Sequence, residues 1–176
     1  MEWKHPGSPA KKKFKTQPSA GKVMLTVFRD SKGPILEDYL EKGRMINSAR
    51  YSDLLANNLK PAVHTKRRGL LLKKVLLLYD NARPHMASQT TETINHLGFE
   101  VLDHPAYSPD LAPSDYHLFG PLKNALRGRR FSTDKEVREV VHKWLRDQPK
   151  TFLEGIRKLV DRWTKCIEKE GDYVGK

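Results

Sequence analysis

The order of hydrophobic and polar positions in the first half of the chain predicts a hairpin followed by a helix. Two apolar runs, at positions 22 to 30 and 35 to 40, flank a Ser-Lys-Gly-Pro turn, as expected for an antiparallel hairpin. Apolar residues then recur at helical spacing over positions 47 to 58, with Ser48 as the expected N-terminal cap. Pro61 is expected to end or kink this helix, because a proline inside a helix removes a hydrogen bond and clashes with the preceding turn.

The centre of the chain predicts a strand, a helix and a second strand. The apolar run from Val75 to Tyr79 is typical of a strand that is buried on both faces. A helix from Met86 to Leu97 ends at Gly98, and Phe99 to Leu102 form the next strand. This order predicts a parallel pair with a right-handed crossover, and therefore a mixed α/β domain.

The last third of the chain is predicted to be helical. A loop rich in proline and serine, at positions 104 to 114, leads into a helix that begins near Asp115 and is expected to break or kink at Gly120-Pro121. A capping box at positions 133 to 136 begins an amphipathic helix. Apolar residues at helical spacing between positions 152 and 167 make another, and both apolar stripes are assigned to the core.

Charge is distributed unevenly along the 176 residues, whose formal net charge is +12. Positions 1 to 79 carry a net charge of +11 and positions 80 to 127 a net charge of −3. An acidic segment in a basic chain fits cation-binding carboxylates that face a polyanion, although basic chains are common and any window fluctuates. The single cysteine excludes a disulfide framework, and no apolar run is long enough to predict a membrane span or a secretory signal.

Basic residues cluster in two places that are candidate DNA contacts. Positions 1 to 21 have no periodicity and predict an extended basic arm, ahead of a single folded domain at positions 22 to 176. Its lysine run is read as a nuclear address, a phosphate contact or a solvated loop. The candidate DNA-binding residues of both clusters are Lys11, Lys12, Lys13, Lys15, Lys66, Arg67 and Arg68.

Two acidic residues are candidates for a metal site. Asp80 ends the central apolar run, and Asp115 lies where the long loop meets a helix, so both are expected near one edge of the sheet. Two carboxylates and substrate phosphate are suitable ligands for Mg²⁺. Alternatively, Asp80 forms a turn and Asp115 is an ordinary N-cap. His85 is read either as an outer-shell group near Asp80 or as the partner of a loop carbonyl.

Three strings, DNARPH, HPAYSPDLAPSDYHLF and RGRRF with the following KLVDRWTKCIEKEGDYV, resemble the catalytic domain of mariner-type transposases. The resemblance extends from about Trp3 to Tyr173. It implies a ribonuclease H-like mixed sheet flanked by helices, and DNA strand cleavage and transfer by three acidic residues with Mg²⁺ or Mn²⁺. Asp80 matches the second of the family's three acids and Asp115 the third. No small-molecule substrate is implied.

The resemblance departs from the family at the front of the chain, where no residue matches the first acid and the fold is expected to lack the family's first strand. Asp30 ends an apolar run as Asp80 does, but it aligns with the second strand and is left out of the site. Trp3, Pro6 and Gly7 match a loop that clamps the partner subunit, which implies a homodimer. The resemblance therefore implies either a transposase domain that is inactive without the first acid or a non-catalytic DNA-binding or dimerisation remnant, acting in the nucleus.

Overall fold

Two sheets of two strands each lie within residues 23–175, the part of the chain that the computed structural model describes. Strands β1 (Met24–Asp30) and β2 (Gly33–Leu40) form the expected antiparallel hairpin. Strands β3 (Leu76–Leu78) and β4 (Glu100–Leu102) pair in parallel, which confirms the prediction from the strand, helix, strand order. The hairpin and the parallel pair are not joined by ladder hydrogen bonds within this part of the chain.

Helices connect and cover these strands. In chain order they are α1 (residues 48–66, made of Ser48–Asp53, Leu54–Leu59 and Lys60–Lys66), α2 (Arg83–Met86), α3 (Ser88–Leu97), α4 (residues 114–126, made of Ser114–Phe119 and Gly120–Leu126), α5 (Asp134–Arg146) and α6 (residues 150–168, made of Lys150–Leu153, Glu154–Arg157 and Lys158–Glu168). Short 3₁₀ turns lie at Leu71–Lys73 and Pro109–Leu111.

Neither α1 nor α4 ends at its proline, so of the two outcomes expected there, a helix end or a kink, the helix end does not occur. A π-helical segment precedes each proline, Leu54–Leu59 before Pro61 and Ser114–Phe119 before Pro121. Each proline therefore falls in the first turn of a new α-helical segment, where its missing N–H is not required.

Side-chain caps fix the beginnings of two helices. Asn47, and not the expected Ser48, caps α1, since its Oδ1 accepts from the Arg50 N–H at 2.9 Å. The predicted capping box is confirmed in α5, where Thr133 Oγ1 accepts from the Glu136 N–H at 3.2 Å. The Glu136 carboxylate reaches back to the N–H of Ser132 at 2.9 Å, one residue before the cap.

The main hydrophobic core forms around one face of α1. Tyr51, Leu55, Leu59 and Val63, each four residues after the last, are at most 2% exposed. They pack in a single cluster with Leu54 of the same helix, Ile35 of β2, Leu77 of β3, Ile94 of α3, and Val75 and Phe99, which directly precede β3 and β4. Helix α1 therefore joins by side-chain packing two sheets that share no backbone ladder.

A second core cluster covers the other face of the hairpin. Leu118 and Leu122 of α4 and Val141 and Leu145 of α5 are buried together. Leu25, Val27 and Tyr39 of the hairpin pack against this cluster. The hairpin is therefore a middle layer between α1 on one face and α4 with α5 on the other.

Two expectations about burial are wrong. Strand β3 is not buried on both faces, because Leu76 is 59% exposed whereas Leu77 is 8% exposed. In α6, Val160 and Ile167 are 62% and 78% exposed, so the apolar stripe assigned to the core is partly on the surface. Both errors have one cause, since an apolar pattern shows that a face is available for packing and does not show that a partner covers it. No helix among residues 23–175 has the length and apolarity needed to cross a bilayer.

The two neighbours in β3 provide a test of this asymmetry. Leu77→Ala is expected to lower the free energy of unfolding by roughly 2–4 kcal/mol, because it leaves a cavity in the core around α1. Leu76→Ala should lower it by less than about 1 kcal/mol, because a solvated side chain leaves no cavity. Leu76→Lys should also reduce self-association at the apolar face. Urea titration and light scattering measure these effects, and equal losses for both alanine variants would contradict the exposure of Leu76.

Candidate metal and nucleic-acid site

The site lies where β3 and β4 end and their following loops meet. The side-chain amide of Asn81, in the loop after β3, donates a hydrogen bond of 2.9 Å to the backbone oxygen of His104, in the loop after β4. Because β3 and β4 are parallel, both loops leave the same edge of the sheet. The hydrogen bond fixes one loop against the other. Asp80 lies in the loop after β3, and the loop after β4 leads to Asp115.

The carboxylate of Asp80 is exposed to solvent, and one of its oxygens is held by contacts within the chain. Its side chain is 61% exposed, and its Oδ1 lies 2.7 Å from Nδ1 of His85. The same oxygen accepts from the N–H of Ala82 at 3.2 Å, so Asp80 also forms the turn that the alternative interpretation predicted. One carboxylate oxygen is therefore engaged, which leaves the other for a cation or a phosphate-bound water.

His85 is fixed by aromatic packing. Its ring centroid lies 4.2 Å from that of the buried Tyr51 and 5.6 Å from that of Tyr79, and its side chain is 20% exposed. Its Nδ1 contacts the carboxylate of Asp80 much more closely than the backbone oxygen of that residue, at 2.7 Å against 3.4 Å. His85 thus orients the Asp80 carboxylate, and an outer-shell role toward a metal stays a prediction.

Asp115 lies in the first turn of α4, and it is not the N-cap. Pro113 is the cap residue, and the Asp115 carboxylate makes no hydrogen bond with another residue of the described range 23–175. Partial burial raises the pKa of the Asp115 carboxyl, and the negative charge of Asp80 raises it further, while Lys123 and His104 act in the opposite direction. The two acids are thus close enough for their charges to interact.

Helix α4 is held by contacts with the C-terminal part of the chain. Nε2 of His117 lies 2.6 Å from the backbone oxygen of Phe152, and the two rings stack. A Cβ on Gly155 would overlap the His117 ring, so the close approach of α4 and α6 requires glycine there. Buried Asp110, just before α4, accepts from the N–H of Val174 at 2.8 Å.

Tyr116, the neighbour of Asp115, lies beside two arginines. The Arg162 guanidinium is 4.2 Å from the centre of its ring, and the same side chain donates to the backbone oxygen of Asp110. Burial lowers the pKa of Arg29 and raises the pKa of Tyr116, and the Arg29 nitrogens and the Tyr116 hydroxyl have no hydrogen-bond partner among residues 23–175. These contacts fix the start of α4 and with it the position of Asp115.

The donor set fits a weakly held divalent ion. No group of three or more His, Cys, Asp or Glu residues able to hold a metal occurs within residues 23–175. Asp80 and Asp115 supply two carboxylates. Burial raises the pKa of Asp115 and the negative charge of Asp80 raises it further, and a cation between the two acids would relieve that repulsion. Mg²⁺ binds proteins through one or two carboxylates when water and phosphate complete its shell.

Asp30 is engaged elsewhere, which agrees with leaving it out of the site. Nε and Nη2 of Arg67 lie 2.6 and 2.8 Å from its two carboxylate oxygens. Burial raises the pKa of the Asp30 carboxyl, but the hydrogen bonds from Arg67 and from the Lys32 N–H outweigh it, so the pKa is lowered. The pair ties the end of α1 to the hairpin turn, where Arg67 also donates to the backbone oxygen of Gly33.

The predicted DNA-binding residues differ in how the structure uses them. Arg67 is paired with Asp30, and Lys66 Nζ donates to the backbone oxygen of Ile35 at 2.8 Å, whereas Arg68 is exposed. Their role toward DNA stays a prediction. The other candidates of the basic arm lie outside the described residues, namely Trp3, Pro6, Gly7, Lys11, Lys12, Lys13 and Lys15.

Residues 1–73 match the protein family described as Transposase (partial DDE domain). The fold matches the crystal structure of the catalytic domain of Mos1 mariner transposase with a TM-score of 0.81 and 39% sequence identity, over 87% of this chain and 76% of that one. The chain belongs to the mariner-type transposases. The ribonuclease H-like fold inferred from the three sequence strings is thereby confirmed.

Two curated proteins match over most of this chain. Identity is 39% over 172 residues with the Mariner Mos1 transposase of Drosophila mauritiana, covering 96% of this chain and 50% of that protein. It is 37% over 154 residues with the human Histone-lysine N-methyltransferase SETMAR, covering 86% of this chain and 22% of that protein. This chain thus spans at most half the length of either relative. Other matching structures of the Mos1 transposase contain a left transposon end, Mn or Mg.

Sequence reasoning missed the mariner-type site's neighbours, Tyr51, Lys123 and His104. Tyr51 reads as an ordinary core residue because its helical spacing matches the rest of the α1 stripe. Lys123 lies eight residues after Asp115, which is about two helical turns, so spacing along the predicted helix could have placed both on one side. The approach of His104 depends on the loop after β4, whose path has no periodic signal.

Replacing Asp115 tests the two causes of its raised pKa, burial of the carboxyl and repulsion from Asp80. Its raised pKa means that the folded chain binds the proton more tightly than the unfolded chain, so stability falls as pH rises through the folded pKa. In metal-free buffer at pH 7, Asp115→Asn should therefore raise the melting temperature slightly, by about 1–2 °C. Mg²⁺ should stabilise the parent and not this variant. A scanning calorimetry series from pH 4 to 7 measures both effects, and destabilisation by Asp115→Asn at pH 7 would contradict them.

Proposed function

We propose that this chain is a DNA-binding mariner-type transposase domain in which Asp80 and Asp115 hold a divalent ion, Mg²⁺ or Mn²⁺, against a DNA phosphate. The observation that carries the proposal is the hydrogen bond from Asn81 to His104, which joins the loops that lead to the two acids at one edge of the β3–β4 pair, and the charge of Asp80 adds to the raised pKa of Asp115. Solved Mos1 relatives with a transposon end, with Mn and with Mg support both the partner and the metal.

The residues of the chain have distinct roles in this proposal. Asp80, oriented by His85, and Asp115, fixed by the packing of α4, supply the two carboxylate ligands. A bound divalent ion would neutralise phosphate charge and lower the pKa of a coordinated water. Lys123 adds positive charge beside Asp115, which favours approach of an anionic backbone.

The two acids alone are proposed to be insufficient for DNA cleavage. Placement of an attacking water and a leaving oxygen by two ions requires more ligands than this pair offers, and errors near 1 Å cost about 100-fold in rate. The lack of a third suitable ligand among residues 23–175 supports this view. The alternative is that metal binding has no role and that the chain acts only in DNA binding or dimerisation.

Further parts of the proposal rest on the family resemblance. A homodimer would form through the loop that carries Trp3, Pro6 and Gly7. The lysine run Lys11 to Lys13 with Lys15 would contact phosphate or direct the chain to the nucleus, where its DNA partner resides. Mutation of the run separates these two roles. If the run is a nuclear address, a fluorescent fusion of the mutated chain is no longer imported while its DNA affinity in vitro is unchanged. If the run contacts phosphate, the DNA affinity falls.

DNA binding by the parent chain should be steeply salt-dependent and nearly indifferent to base sequence. The basic residues contact phosphates, so counterion release dominates the free energy of binding, with a slope of log K against log salt of about −0.9 for each phosphate contact. Fluorescence anisotropy with two unrelated duplexes over 50–300 mM NaCl measures this. Affinity that does not change with salt, or a strong preference for one duplex, would contradict the proposal.

Strand cleavage is tested with supercoiled plasmid in Mg²⁺ or Mn²⁺. The parent chain is expected to nick no faster than buffer, whereas a chain extended by the family's first strand with its acid is expected to gain activity. Asp80→Ala and Asp115→Ala are the controls in both backgrounds. If the parent nicks the plasmid and both variants do not, two acids suffice and the inactive assignment is overturned. If neither substitution weakens binding of Mn²⁺, the alternative in which metal binding has no role is favoured.

A further inference from the structure

Three arginines in the turn after α4 are exposed and take no part in holding the fold. Arg127, Arg129 and Arg130 make no side-chain hydrogen bond or ion pair with another residue of the described range 23–175. In contrast, Arg67 forms a two-point ion pair with Asp30, and Arg50 contacts Asp38 at 2.8 Å. Arginine is favoured where planar guanidinium groups meet phosphate, so an unpaired group of three points to an external anion.

The backbone of this turn is ordered by its own hydrogen bonds. The N–H of Arg127 donates to the oxygen of Asn124, and the N–H of Arg129 donates to the oxygen of Leu126, each at 3.2 Å. Gly128 has a φ of 77°, the left-handed conformation that glycine adopts without strain. The guanidinium groups are therefore carried on a defined turn and are not needed to satisfy it.

Lys123 connects this turn to the acid pair. It is exposed on α4, and its charge acts on the Asp115 carboxyl eight residues earlier. Arg127, which directly follows the last residue of α4, lies four residues further along, about one helical turn beyond Lys123. A line of positive charge therefore runs from Asp115 along α4 into the turn.

We infer that Lys123, Arg127, Arg129 and Arg130, here named the α4 basic track, bind the phosphate backbone of the duplex DNA that enters the acid pair. Asp115 and Arg127 are twelve residues apart, at most roughly 18 Å at the 1.5 Å per residue of an α-helix, because the π-helical segment Ser114–Phe119 rises less per residue. That length corresponds to about five base steps of 3.4 Å along one strand. The track would thus hold the duplex about half a helical turn from Asp80 and Asp115. This inference rests on the proposed function, because it takes DNA to be the polyanion.

A purely structural role does not account for the track. Basic residues in the last turn of a helix interact favourably with its dipole, but the effect falls off within that turn, and Arg129 and Arg130 lie beyond it. The nearby carboxylate of Glu136 is engaged with the N–H of Ser132 in the capping box of α5. Neither feature requires three unpaired guanidinium groups.

The test compares two triple variants that remove the same charge. Arg127→Gln, Arg129→Gln and Arg130→Gln together remove the turn arginines, and Arg157→Gln, Lys158→Gln and Lys165→Gln remove three exposed cations from α6. On a 20-base-pair duplex, the track variant should lose 2–3 units of the salt slope, at about 0.9 for each contact, and at least about tenfold in affinity at 0.1 M NaCl. The α6 variant should lose less than about one unit. Replacement of the three arginines by lysine should retain most of the slope.

Each outcome decides between the alternatives. An equal loss in both glutamine variants, or no loss in the track variant, would overturn the track while leaving DNA binding by the domain intact. Failure of the parent to bind duplex DNA would instead remove the proposed function. Tighter binding of an RNA duplex through the same arginines would overturn DNA as the partner. Thermal unfolding is measured for every variant, and if the glutamine variant does not fold, single substitutions at each arginine replace it, each expected to cost about 0.9 units of slope.

Discussion

The burial of one face of α1 is the interaction on which the rest of this structure depends. The hairpin and the β3–β4 pair have no common ladder in the described part of the chain, so side chains such as Tyr51 and Leu55 hold them in one body. Side-chain packing is less directional than a ladder of backbone hydrogen bonds, yet close-packed interiors still fix relative positions because they tolerate few voids. The Asp30–Arg67 ion pair adds a directional contact at the end of the same helix. The domain therefore depends on one helix for a continuity that a wider sheet would supply by itself.

The two acids of the candidate site are held by different elements of the fold. Asp80 follows a three-residue strand and is oriented by His85, whose ring rests on Tyr51 of the α1 core. Asp115 is carried by α4, which packs on the hairpin's other face and on α6. The two acids thus belong to opposite layers and meet only at the sheet edge, where the Asn81–His104 hydrogen bond joins their loops. Charge repulsion between the acids opposes this meeting, and a cation would favour it.

Local sequence patterns predicted the helices and strands well, but they predicted poorly which side chains are covered and which distant residues they contact. The β3–α3–β4 unit could be predicted because its apolar runs and the left-handed Gly98 are local features. Exposure of Leu76 could not, because it depends on whether another element covers that face. Asp80 and Asp115 could be paired from the family's motifs, whereas the approach of His104 depends on the path of the loop after β4. Among the basic candidates, the pairing of Arg67 with Asp30 could not be predicted, since it joins residues that are 37 positions apart.

The π-helical segment of α4 has a consequence for how the site tolerates changes in length. A wider turn accommodates one residue more than an α-helix would, so removal of a single residue between Ser114 and Phe119 could restore regular α-helical winding without breaking the helix. Each residue of an α-helix turns the chain by about 100°. Such a deletion would therefore change the rotation of Asp115 relative to the basic turn very little, because the wider turn absorbs the extra residue. The same deletion in the α-helical segment Gly120–Leu126 would instead rotate Asp115 by about 100° relative to that turn, although every side chain of both groups remained present. The geometric link between the two ends of this helix is encoded in its residue count as much as in its residue types.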